Sequence, residues 1–144
     1  MPGRRDVCFA ACENGSMFPR GLLVWCALLV LAVANGAVRE TLITPRLGER
    51  AGHALSTLML SAGILAVSWL TIGWLRPADP GGALALGGLW VALTLAFEFL
   101  AGHYAFKSPW SKLLADYNVL RGRIWILVVL TTGMAPWLAA YGLR

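Results

Sequence analysis

The sequence predicts an all-α membrane protein: an antiparallel four-helix transmembrane bundle with a short interfacial amphipathic helix between spans three and four. Three observations predict it. Hydrophobic residues make up 58% of the chain and charged residues 13%, with a mean hydropathy of +0.68, outside the range of ordinary soluble domains. Apolar runs recur four times, each close to the roughly 20 residues a helix needs to cross a bilayer. The connectors between them contain Pro and Gly, which let a chain reverse. A chain of 144 residues suits one compact bundle, so 20–144 read as a single transmembrane domain behind a polar, disordered tail over 1–19.

Span one runs over about 21–40, through LLVWCALLVLAVANGAV. A rival reading is a signal peptide, with Arg20 ahead of an apolar core and Ala32, Val33 and Ala34 as a small-residue cleavage site. The segment Thr41–Gly52 predicts a turn, because Pro45 disfavours helix at Thr44 and Gly48 permits positive φ. Span two covers about 54–75, and His53, Thr57, Ser61 and Ser68 recur on one face as a small polar stripe. In a bilayer such a stripe is chiefly helix-packing surface. A connector of breakers from Arg76 to Gly82 leads to span three, about 83–103, where Gly87, Thr94, Glu98 and Gly102 share nearly one face.

Ser108 and Pro109 mark a further helix start. Over about 109–121, Trp110, Leu113, Leu114 and Tyr117 follow at helical spacing, as in an amphipathic helix lying in the interface. Span four covers about 124–141, with Pro136 expected to loosen its last turns and Thr131 and Thr132 to return hydrogen bonds to freed carbonyls.

An antiparallel arrangement of four spans gathers the polar chemistry at one end. Candidate residues there are Asn35, Arg39, Glu40, His53, Glu98 and His103, with Asp116, Tyr117, Asn118, Arg121 and Arg123 from the interfacial segment and the start of span four. Glu49 and Arg50 lie beside them. Glu98 stands out, because a carboxyl inside an apolar span costs a few kcal/mol unless it is paired or protonated. Arg39 is the expected partner, since spans one and three would end on the same side.

Net charge is +5, and the basic residues fall in short connectors beside apolar runs. The expected partners are therefore the bilayer and its anionic headgroups, with a homo-oligomer or a membrane protein partner, and no nucleic acid. More Lys and Arg lie on the side of Arg39, Arg46, Arg50, Lys107, Lys112, Arg121 and Arg123 than on the side of Arg4, Arg5, Arg20, Arg76 and Arg144. This weak excess favours the loops after spans one and three as cytoplasmic. Cys8 and Cys12 have no second pair or nearby His, so no metal site is expected. No cofactor motif is present, and no catalytic residue is assigned.

The run NGAVRE (Asn35 to Glu40), then PRLGERAGHALS, then FEF and GH (Phe97 to His103), and finally W..LLADYN..RGR.W (Trp110 to Trp125) resembles a family of small four-span bacterial integral membrane proteins with no assigned activity. The resemblance covers the chain from about residue 20 onward. It implies a multi-pass protein of the bacterial inner membrane and brings no substrate.

Three functions stay open. The first is a non-enzymatic accessory or oligomeric membrane component acting by association. The second is a small transporter or proton relay using Glu98; multidrug exporters of similar size carry their membrane glutamate in the first span, which this chain does not. The third is an enzyme on a lipid headgroup or isoprenoid phosphate, with Arg39, Arg121 and Arg123 gripping phosphate and His103 or Glu98 as acid or base. No HExxH, nucleophile elbow or P-loop supports it.

Overall fold

The computed structural model describes residues 3–105, 107, 109, 111 and 125–142. Regular structure among them is helical throughout, without a strand. Helix α1 is Arg4–Val38, and it continues through a π-helical turn, Arg39–Ile43, into the short α2, Thr44–Leu47. Helix α3 is Glu49–Leu75, and α4 is Pro80–Leu100 followed by a π-helical turn, Ala101–Ala105. Helix α5, Trp125–Trp137, also ends in a π-helical turn, Leu138–Gly142. Three stretches, Gly15–Leu47, Glu49–Leu75 and Pro80–Leu100, are long and apolar enough to cross a membrane, and Ile126–Gly142 is a shorter apolar helix.

Helix α1 corrects the expectation of a disordered tail. Its 35 residues extend about 52 Å at 1.5 Å per residue, well beyond the roughly 30 Å hydrocarbon core of a bilayer. The apolar run supplies the nucleus, so each residue added upstream gains a hydrogen bond without a new nucleation cost. Met17, in the supposed tail, is fully buried in the core, which fixes the helix upstream of Pro19.

The turn expected over Thr41–Gly52 contracts to Gly48. Pro45 sits in the first turn of α2, where its missing N–H is not needed. Gly48 then takes φ +82° and ψ 168°, a conformation essentially confined to glycine. The next connector is equally short: Arg76 ends α3 in the left-handed region, and Asp79 caps α4 by accepting from Gly82 N–H. Pro80 follows at the first helical position, so residues that read as breakers act as a helix start.

Arg20, midway along α1, donates to the Trp74 carbonyl at 3.0 Å, while Asn35 near the end of α1 bonds Ser56 near the start of α3. Helix α3 thus runs back along α1. Helix α4 touches α1 where Trp90 Nε1 donates to the Gly21 carbonyl at 2.9 Å, and α5 where Gly87 meets Gly133. The core between these contacts includes Val24, Leu28, Leu60, Ile64, Ile72, Leu75, Leu86, Trp90, Val128 and Ala135. The polar stripe of α3 packs inward as small-residue surface: Thr57, Ser61 and Ser68 are buried. Thr57 donates back to the His53 carbonyl, while the Ser61 and Ser68 hydroxyls have no hydrogen-bond partner.

Pro136 precedes the π-helical turn that closes α5, consistent with a proline that loosens the last turns. The threonines do not serve it as expected. Thr131 and Thr132 donate to the Leu127 and Val128 carbonyls, whereas the carbonyl that Pro136 leaves without its helical donor is that of Thr132 itself. A hydroxyl reaches the carbonyl one turn before it and not its own, so it cannot replace the lost bond.

Candidate functional site

Two polar places lie at the α1 end expected to hold the cluster. The first is a junction between α1 and α3. Asn35 Nδ2 donates to Ser56 Oγ at 2.7 Å and to the Ser56 carbonyl at 3.1 Å. A turn later, Arg39 donates through Nε and Nη2 to one carboxylate oxygen of Glu40 at 3.1 and 2.9 Å. Its Nη1 lies 3.3 Å from His53 Nδ1. Arginine carries no acceptor, so His53 Nδ1 must accept, which puts the ring proton of the neutral form on Nε2.

The expected Arg39–Glu98 pair is therefore corrected. The Arg39 guanidinium is engaged by Glu40, its neighbour in sequence, and by His53. Glu98 lines a cavity one turn past Thr94, which bonds Trp25, and so falls opposite Leu29, about 15 Å along the helix axis from Arg39 at 1.5 Å per residue.

That cavity is the second place. It has a volume of about 210 Å³ and lies among α1, α3, α4 and α5. Trp25, Leu28, Leu29, Ala32 and Val33 form the α1 wall, Leu60 and Ile64 the α3 wall, Thr94, Phe97 and Glu98 the α4 wall, and Val128 and Thr132 the α5 wall. One end is closed where Trp25 Nε1 donates to Thr94 Oγ1 at 3.1 Å. Just beyond, α1 and α4 approach so tightly that a Cβ on Gly21 would lie within 2.3 Å of the Leu86 side chain. The α4 face that carries Gly87, Thr94 and Glu98 thus packs against α5 at Gly87 and opens about two to three turns later. Val33 and Phe97 sit at the rim, 60% and 38% exposed.

Asn35, Arg39, Glu40 and His53 are brought together, while Glu98 stands apart in the cavity wall. His103 lies in the π-helical turn after α4, edge-on to the exposed ring of Tyr104 at 5.1 Å. Glu49 and Arg50 are exposed at the start of α3. Asp116, Tyr117, Asn118, Arg121 and Arg123 lie outside the described residues, as does the interfacial helix apart from Pro109 and Ser111. Sequence reasoning missed Ser56 and Trp25, and it did not place Thr132 in a cavity wall. For Trp25 a signal existed: a tryptophan deep in an apolar run needs an acceptor for its N–H, and Thr94 shares a face with Glu98. Compared with protein-family models, curated proteins and solved structures, the chain matches none.

Proposed function

We propose that this chain is a multi-pass membrane protein that crosses the bilayer four times as an antiparallel bundle and acts by association, as a non-enzymatic accessory or oligomeric component. One observation carries the reading: Asn35, Arg39 and His53 are engaged in contacts within the chain rather than presented to a substrate. Such junctions serve helix packing in bilayers. The outward faces are broadly apolar, with Leu23, Val30 and Leu70 exposed, as suits contact with lipid or another membrane helix. The resemblance favours the bacterial inner membrane, and the weak Lys and Arg excess favours a cytoplasmic side for the loops after spans one and three, with anionic headgroups beside them.

The placement of Glu98 on a cavity wall favours a second reading, a small transporter or proton relay. Lipid-headgroup chemistry would need Arg121 and Arg123, which lie outside the described residues. Native mass spectrometry of the full chain from mild detergent, with wild type beside Glu98→Gln, separates the two main readings. A discrete oligomer or stoichiometric partner that survives the substitution supports association. A monomer with no partner overturns it, and proton-coupled uptake by reconstituted vesicles, lost in Glu98→Gln, would put transport in its place.

A further inference from the structure

We propose that Arg20 and Arg76, where the end of α3 meets α1, form a binding site for the phosphate of an anionic phospholipid headgroup. The site needs a bilayer and so rests on the membrane reading above. It lies at the opposite end of α3 from the Asn35, Arg39 and His53 junction. Both guanidiniums are tied to the last turn of α3: Arg20 Nη1 donates to the Trp74 carbonyl and Arg76 Nε to the Gly73 carbonyl, each at 3.0 Å. These carbonyls belong to consecutive residues, about 1.5 Å apart along the helix axis, so two positive charges crowd one helix end. The Arg20 guanidinium also lies 5.6 Å from the centre of the exposed Trp74 ring, a cation–π contact that limits where it can point.

Helix capping explains only part of this arrangement. Basic side chains commonly hydrogen-bond the last carbonyls of a helix, but each arginine uses one N–H there and a guanidinium carries five. Neither forms an ion pair with a described residue. Asp79, the acid nearest Arg76 in sequence, accepts from Gly82 N–H instead. Nor does the end of α3 call for an arginine at 76. The residue stands at φ 46° and ψ 64°, a conformation that glycine adopts without the clash of a Cβ. It also precedes Pro77, which favours extended backbone there. A strained position that keeps a charged side chain points to a use for that charge. A phosphate diester supplies the missing counter-charge, with oxygens that accept forked pairs of N–H groups, and in an anionic lipid no headgroup ammonium offsets it. The apolar surface alongside points to a lipid as the source. Leu23, a turn along α1 from Arg20, and Leu70, a turn back along α3 from Trp74, are 63% and 75% exposed on the hydrocarbon side, where acyl chains would lie.

The test reconstitutes the full chain in nanodiscs of equal phosphatidylglycerol and phosphatidylcholine with matched acyl chains, releases it into mild detergent and reads retained lipid by native mass spectrometry. Wild type is expected to retain phosphatidylglycerol about tenfold over phosphatidylcholine, the effect of about one charge-assisted hydrogen bond. Arg76→Gly relieves the backbone at 76 and leaves the fold intact, yet it should bring the two lipids to within about twofold of each other. Arg20→Gln should do the same. Arg4→Gln removes an equal charge about 24 Å away along α1 and should keep the preference, and excess inorganic phosphate should leave the lipid bound. Equal retention of both lipids by wild type, a preference that survives Arg76→Gly, its loss in Arg4→Gln, or displacement by inorganic phosphate would overturn the proposal. A chain that fails to co-elute with nanodiscs overturns the membrane reading and the site with it, whereas those results from a co-eluting chain overturn the site alone.

Discussion

Replacing Gly87 with alanine tests whether α4 and α5 meet backbone to backbone. A Cβ built on Gly87 lies 1.9 Å from the Gly133 carbonyl oxygen, 2.8 Å from its carbon and 3.3 Å from its Cα. Ordinary contact begins near 3.4 Å, so the helices must part by about 1.5 Å, and no side-chain rotation relieves a clash with backbone. Overpacking alone costs about 1–3 kcal/mol. Parting the helices also opens gaps along the contact, where even 0.5–1 Å forfeits about a quarter to a half of each dispersion well. The expected loss is therefore about 3 kcal/mol. Gly88, the next residue, has nothing within 4 Å of its hypothetical Cβ, so Gly88→Ala should be neutral or gain up to about 1 kcal/mol from helix propensity. Both variants are to be unfolded reversibly by SDS in mixed micelles and followed by far-UV circular dichroism. If they fall within about 0.5 kcal/mol of each other, the close α4–α5 contact is wrong.

In the same assay, Asn35→Ala should cost about 1–2 kcal/mol and Ser56→Ala less, because Asn35 keeps the Ser56 carbonyl as acceptor; a double-mutant cycle with no coupling would contradict the junction. Arg39→Leu should cost about 1–2 kcal/mol, since the pair with Glu40, 65% exposed, contributes little and the part-buried His53 Nδ1 loses its donor; a loss of several kcal/mol would restore Glu98 as its partner. Gly48→Ala should cost about 1–3 kcal/mol through backbone strain alone, because the space around it is open. Ser68→Ala should be neutral or stabilising by up to about 1 kcal/mol, as its buried hydroxyl bonds nothing, and a clear loss would show a partner for that hydroxyl.

The sequence by itself determined the helical class, the four apolar segments and the reversal points, because each rests on local physics. Twenty apolar residues in a row dictate a helix when the backbone must satisfy itself, and Gly48 permits positive φ while Pro45 fixes its own φ wherever they sit. The stripe of Thr57, Ser61 and Ser68 was legible for the same reason, since helical periodicity alone puts it on one face. Boundaries were less so. Residues 4–18 look polar and irregular one at a time, yet they follow α1 because a helix already nucleated extends cheaply and Met17 finds a place in the core.

What only the tertiary structure decided was partnership. Arg39 and Glu98 carry opposite charges at the ends of two spans, and the sequence suggests that they meet. Axial level is set by how far each helix slides past its neighbour, and the Gly21–Leu86 and Gly87–Gly133 contacts lock α4 where Glu98 falls about three turns short of Arg39. The cavity has the same origin: close glycine contacts hold α4 against α1 and α5 at one end, and the bulk of the side chains farther along keeps the helices apart. A void is a property of facing surfaces, and no single helix encodes it.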